Sequence, residues 1–210
     1  MKTRSFGIAA LLAAGITGTA LLAGAGAPSA PASAASASAE AATFKIDNVH
    51  SGVVFKVKHL GVSHSIGRFN KISGDFTWDG TKPDSATINV TIDAGSIDTN
   101  NSGRDGHLNG PDFFNTKEFP EIKFVSKSLT KSGDNWELAG DLTLLGKTNS
   151  VKAKFEFLGE KDGGARAGYV AGWDATFTIK RSDFGMNYGV DNGALGNDVQ
   201  IGVAVEGRKQ

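Results

Sequence analysis

The chain contains no cysteine. That excludes a disulfide framework, a thiolate nucleophile, a cysteine-ligated metal and the modified cysteine of a bacterial lipoprotein. It also lacks a Gly-x-Ser-x-Gly elbow, so no serine is marked as a nucleophile. Its histidines, His50, His59, His64 and His107, have none of the i,i+4 spacing of a helical metal site. Gly146-Lys147-Thr148 fails as a phosphate loop, because Gly140 stands one residue too far upstream and Asp141 to Leu145 between them reads as a strand. A surplus of one charge is missing too. Basic and acidic side chains number 22 each, and from Glu40 onward the balance is 22 − 2 = 20 basic against 22 acidic. This argues against a nucleic-acid footprint or a polybasic membrane patch. The expectation is a protein with no catalytic residues, no metal and no cofactor.

What is present falls into two parts. Residues 1–42 read as an export leader followed by an Ala/Ser/Pro-rich linker: Lys2 and Arg4 are followed by the apolar run Phe6 to Leu22. Small-x-small cleavage sites then occur at Ala32-Ser33-Ala34, Ala35-Ser36-Ala37 and Ala37-Ser38-Ala39. The competing reading is an uncleaved anchor, since Phe6 to Ala27 reaches about 20 residues of apolar character. The leader reading places the protein outside the cytoplasm, in a periplasm or in the medium. Residues 43–210 make one domain, large enough to hide roughly 70% of its extended-chain surface without a covalent staple.

From Thr43 onward the hydrophobic pattern has a period of two, the mark of strands with one dry face. Ala86, Ile88, Val90 and Ile92 alternate with Thr87, Asn89, Thr91 and Asp93. Similar runs occur at Val151–Phe157, Trp173–Lys180 and Val199–Glu206, with weaker ones at Val53–Val57, Phe69–Trp78, Ile122–Ser126 and Trp136–Leu144. Turn-like separators such as Asp79-Gly80, Ser132-Gly133-Asp134-Asn135 and Asp162-Gly163-Gly164 imply antiparallel neighbours. The fold class is all-β. About eight such strands must close into a barrel or stack as a sandwich, and a closed barrel of that size has room for side chains or one small ligand.

The stretch from Ser96 to Pro120 breaks the alternation and is too long for a hairpin. With Leu108, Phe113, Phe114 and Phe119 it reads as a capping segment with helical turns that plugs one end. Arg104, Asp105 and His107 in this segment and Arg181-Ser182-Asp183 further on are the charged groups expected at the mouth. They either pair to fasten the lid or orient a ligand head group.

The chain carries His50-Ser51, Val53-x-Phe55-x-Val57-x-His59, Gly67-Arg68-Phe69 and Ser96-Ile97-Asp98-Thr99, followed by Arg104-Asp105-x-His107-Leu108 and Asp112-Phe113-Phe114. Phe119-Pro120-x-Ile122-x-Phe124, Gly140-Asp141-Leu142-Thr143 and Arg181-Ser182-Asp183-Phe184-Gly185 complete the series. In this order the motifs resemble those of the YceI-like family of lipid- or polyisoprenoid-binding proteins. The resemblance implies an antiparallel eight-stranded, lipocalin-like barrel with a short helical cap, enclosing the tail of a polyprenyl lipid or an isoprenoid quinone. Gly103, Gly106 and Gly110 stand around the Arg-Asp-His-Leu motif where better helix formers are expected, each at a cost of about 1 kcal/mol relative to alanine if helical.

On this reading Phe55, Val57, Phe69, Phe76, Ile88, Ile92, Phe124, Phe177 and Ile179 line the tunnel, and Phe113 and Phe114 plug it. His59, Arg104, His107 and Arg181 stand near its mouth. The partners are the lipid, a membrane in transient contact and, where the barrel pairs, a second copy of the chain. Lipid in a bilayer is already dry, so transfer into the barrel has little net driving force and suits exchange or buffering. The rival is a filled barrel serving as a structural or protein-interaction module. An interior void of at least about 300 Å³ separates the two.

Overall fold

Alternation becomes hydrogen-bonded strand throughout the part of the chain that the computed structural model describes, residues 41–210. The leader reading lies outside these residues, except that the first strand opens at Ala42, inside the segment read as linker. Eleven strand segments occur among the described residues. They are β1 (Ala42–Ile46), β2 (Gly52–His59), β3 (Ser63–Phe69), β4 (Ile72–Trp78), β5 (Ile88–Asp93) and β6 (Ile97–Asp98). After α1 (Ser102–Leu108) come β7 (Glu121–Ser132), β8 (Asn135–Leu144) and β9 (Lys147–Asp162), then α2 (Gly164–Ala167), β10 (Tyr169–Lys180) and β11 (Leu195–Lys209).

All pairings are antiparallel, and the sheet closes into a barrel rather than a sandwich. The ring runs β1-β4-β5-β7-β8-β9-β10-β11 and returns to β1 through Phe44↔Lys209, Lys45↔Arg208 and Ile46↔Gly207. The other segments prolong ring members. β2 continues β1 along β11, β3 pairs with β2 beyond β4, and β6 meets β3 beyond β5. The barrel therefore has eight strands, three of them broken near the middle. The run Phe69–Trp78, continuous in the sequence reading, is one such break, at Asn70-Lys71.

Most apolar strand positions turn inward, so the register decides what the interior holds. Phe44, Phe76, Phe155 and Ile88 are fully buried. Burying a side chain of this kind is worth roughly 1.5–3 kcal/mol. At one end the rings pack solidly: Phe44 stacks on Phe76 at 5.0 Å, Phe76 meets Trp173 edge-on at 6.1 Å, and Trp78 stacks on Phe157 at 3.8 Å. Gly207 of β11 makes room for them, because a Cβ there would come within 2.5 Å of the Phe76 ring and 2.9 Å of Phe44. Hairpin β8–β9 turns at Leu145-Gly146, both with positive φ (52° and 68°), the pattern of a two-residue type I′ turn. This is the geometric reason that Gly146-Lys147-Thr148 is no phosphate cradle.

Candidate ligand cavity

Because the strands run up and down, the β2–β3, β8–β9 and β10–β11 connections and the cap all gather at one end. Under them the barrel is hollow. A cavity of about 690 Å³ opens there, walled mainly by aliphatic and aromatic side chains.

The structure brings most of the sequence-predicted lining together. Phe55, Val57 and His59 of β2, Phe69 of β3, Ile92 of β5, Phe124 of β7, and Phe177 and Ile179 of β10 all face the cavity, as do Arg104, His107, Phe113, Phe114 and Arg181. Phe76 and Ile88 do not. Both point inward but sit in the packed end, 1% exposed each, because alternation reports the facing of a residue and not its depth. Sequence reasoning missed Trp173 as lining, together with Leu138, Leu142 and Leu144 of β8 and Met186 and Tyr188 of the β10–β11 connection. The β8 and β10 residues carried the alternation signal; Met186 and Tyr188 lie in a non-periodic loop and carried none.

The cap is built on α1. Asn101 caps it by accepting from the Arg104 backbone N–H at 2.9 Å. Asp105 accepts from the Thr99 backbone N–H at 2.9 Å and from its hydroxyl. Arg104 donates through Nε to Thr99 Oγ1 and through Nη2 to Thr99 O, both at 2.7 Å. His107, Phe113 and Tyr188 then form a cluster of rings with centroids 5.0–5.1 Å apart over the mouth. Phe114 meets Phe69 edge-on at 5.4 Å, tying the cap to the barrel wall.

Arg–Asp pairs do not fasten this lid. Arg181 is 3% exposed, and its contacts are backbone carbonyls: Nε to Gly196 at 2.9 Å, Nη1 to Met186 at 3.1 Å and Nη2 to Leu195 at 3.3 Å. Burial pushes its pKa down from the ordinary guanidinium value, yet an arginine stays charged in a protein. A guanidinium has five N–H donors, so these bonds leave two that can serve a ligand oxygen. Trp173 lines the cavity, and its indole N–H is buried in the packed rings with no hydrogen-bond partner among the described residues.

Two clusters bear on chemistry. His107 Nε2 lies 3.0 Å from Asp112 Oδ2, but both groups are about half exposed and the described hydrogen bonds join no Ser or Thr hydroxyl to His107 or His59. At the packed end Asp47, His50 and Glu206 come within 4.8 Å of one another. Asp47 is committed there to other partners: Arg208 donates to its Oδ2 at 2.9 and 3.1 Å, and the Val49 N–H donates to its Oδ1. The Val49 bond and the His50 contact hold its carboxyl below the usual carboxylate range.

The sequence profile of the YceI-like domain matches residues 44–207, nearly the whole barrel. The chain belongs to the YceI-like family. A UPF0312 protein of Pectobacterium atrosepticum is 39% identical over 172 residues, spanning 81% of this chain and 88% of that protein. Protein YceI of Escherichia coli is 40% identical over 175 residues, with the same coverage. Among solved structures, Burkholderia cenocepacia BcnA superposes with a TM-score of 0.69 at 25% identity, over 77% of this chain and 98% of that one. A polyisoprenoid binding domain from Saccharophagus degradans shares the fold with a TM-score of 0.60 at 13% identity, covering 81% of this chain and 100% of that one.

Proposed function

We propose that this protein is an exported, non-catalytic carrier or reservoir that holds one isoprenoid lipid, a polyprenyl chain or an isoprenoid quinone, in its barrel. The observation that carries the reading is the hollow itself. Its volume of about 690 Å³ is well above the roughly 300 Å³ at which a filled barrel ceases to be the better description. The wall suits a long apolar tail, and the two N–H donors that Arg181 has left at the mouth suit an oxygen-bearing group on such a molecule. The described polyisoprenoid-binding domain with the same fold supports the ligand class. Because the tail leaves one dry environment for another, loading is close to balanced and the protein exchanges lipid with membranes.

Organic extraction of the purified protein followed by mass spectrometry tests this, with stoichiometric isoprenoid lipid expected. The variant Val203→Trp places a large ring inside the hollow; it should remain folded and lose the lipid at least tenfold. Repeated absence of lipid from the parent protein, or full occupancy in Val203→Trp, would remove the reading.

A further inference from the structure

Overall charge balance hides a local separation. Between Asp47 and Asp75 the chain has no carboxylate side chain, while Lys56, Lys58, His59, His64 and Arg68 all fall there. These residues belong to the hairpin of β2 and β3. The register Val54↔Arg68, Lys56↔Ile66 and Lys58↔His64 puts the cations on its outer face, with Val54 (51% exposed) and Ile66 (62% exposed) among them. Its inner face, Phe55, Val57 and His59, is cavity wall. At the tip Leu60 and Val62 stand 60% and 87% exposed beside the mouth. Beyond Arg68 the outer edge of β3 has no strand partner among the described residues, while β2 stays paired with β11 up to Leu195↔His59, so the hairpin presents one free edge beside the mouth.

We infer that the β2–β3 hairpin is the membrane-docking element, its tip entering an anionic bilayer and its cationic outer face lying along the head groups, so that the mouth opens onto the lipid. Scattered apolar side chains are ordinary on a surface. Here they are combined with cations on one hairpin, open along one edge, beside the opening of an apolar cavity, the pattern of an interfacial segment. A bilayer also explains the sign of the charge, since each lysine near an anionic leaflet contributes roughly fivefold in affinity. The neighbouring acids leave the two lysines uncompensated. Asp198 on β11 is held by Lys180 at 3.3 Å and Asp112 by His107 at 3.0 Å; Asp98 stands opposite Arg68 and offsets that cation, and Asp191 lies exposed in the β10–β11 loop. The described ion pairs take in none of Lys56, Lys58, His59 and His64. The inference rests on the lipid-carrier reading for its purpose but not for its test.

Because the full chain has no cysteine, Val62→Cys and, separately, Asp134→Cys at the opposite end each accept a single environment-sensitive fluorophore. Phosphatidylglycerol-containing vesicles at low salt should shift the Val62 probe to the blue and brighten it severalfold, leaving the Asp134 probe unchanged. Pure phosphatidylcholine vesicles should give a much weaker response. Lys56→Gln with Lys58→Gln should weaken the titration about 25-fold, the product of two fivefold terms. A silent Val62 probe, an equal response at Asp134, or no effect of the lysine changes would overturn the proposal. Extraction of the same preparations reads the cargo separately. A responding probe on a protein without lipid keeps the docking and removes the carrier reading; a silent probe on a lipid-filled protein does the reverse.

Discussion

The two ends of the barrel are built from the same alternating strands and differ first in what the inward positions carry. At the packed end these are rings: Phe44, Phe76, Trp78, Phe155, Phe157 and Trp173, joined face to face or edge to face. At the mouth end β2 and β3 offer Val57, His59, Ser63 and Ser65, too small or too polar to meet across the lumen. One wall thus supports a core and a cavity in tandem. The packed end carries the stability that the hollow end gives up, because a void forfeits the contacts its lining would have made.

Truncation separates the two ends most strongly. Phe155→Ala, at a site 1% exposed, should cost about 3–5 kcal/mol in denaturant unfolding. Phe177→Ala, on the cavity wall, should cost less than half of that and act mainly on lipid retention. Equal losses would mean that the hollow is not hollow in solution.

Next in size is Asp47, which ties the packed end together through Arg208 and His50. Its folded pKa lies below its ordinary value of 3.8, so the unfolded chain takes up the proton first as pH falls. The stabilisation is therefore fully present above that ordinary value and is lost as pH drops through the folded value. Thermal unfolding of Asp47→Asn should show a loss at neutral pH that shrinks toward pH 3; a constant loss would assign the effect to packing alone.

The smallest change addresses the cap. Gly106 in α1 has open space where a Cβ would sit, so Gly106→Ala should stabilise by about 0.5–1 kcal/mol. A rise in melting temperature with slower lipid exchange would show that cap order governs access to the hollow end.

How far the sequence could be read depended on where each residue lay. Ile88–Asp93, Val151–Phe157 and Trp173–Ile179 announced themselves because burial on one face forces alternation. β3 stayed hidden, since its inward positions Ser63, Ser65 and Gly67 carry no apolar signal. The motif residues Arg104, His107 and Arg181 pointed to the mouth, but not to their partners: whether a guanidinium meets a carboxylate or three carbonyls depends on backbone brought in from the β10–β11 connection. Phe76 and Ile88 were placed on the correct face at the wrong depth, a coordinate along the barrel axis that periodicity does not contain. The charge balance likewise summed over the chain what the hairpin keeps apart.

The seam along β11 joins positions as far as 209 − 44 = 165 residues apart, through three pairs with β1 and then the pairs with β2 that continue it. Wall closure is thus the most non-local event in the assembly of this protein, and loop-closure entropy makes such events late. Until it happens the strands form a curved ribbon with two free edges and no inside, so cargo can be enclosed only once the ribbon has met itself.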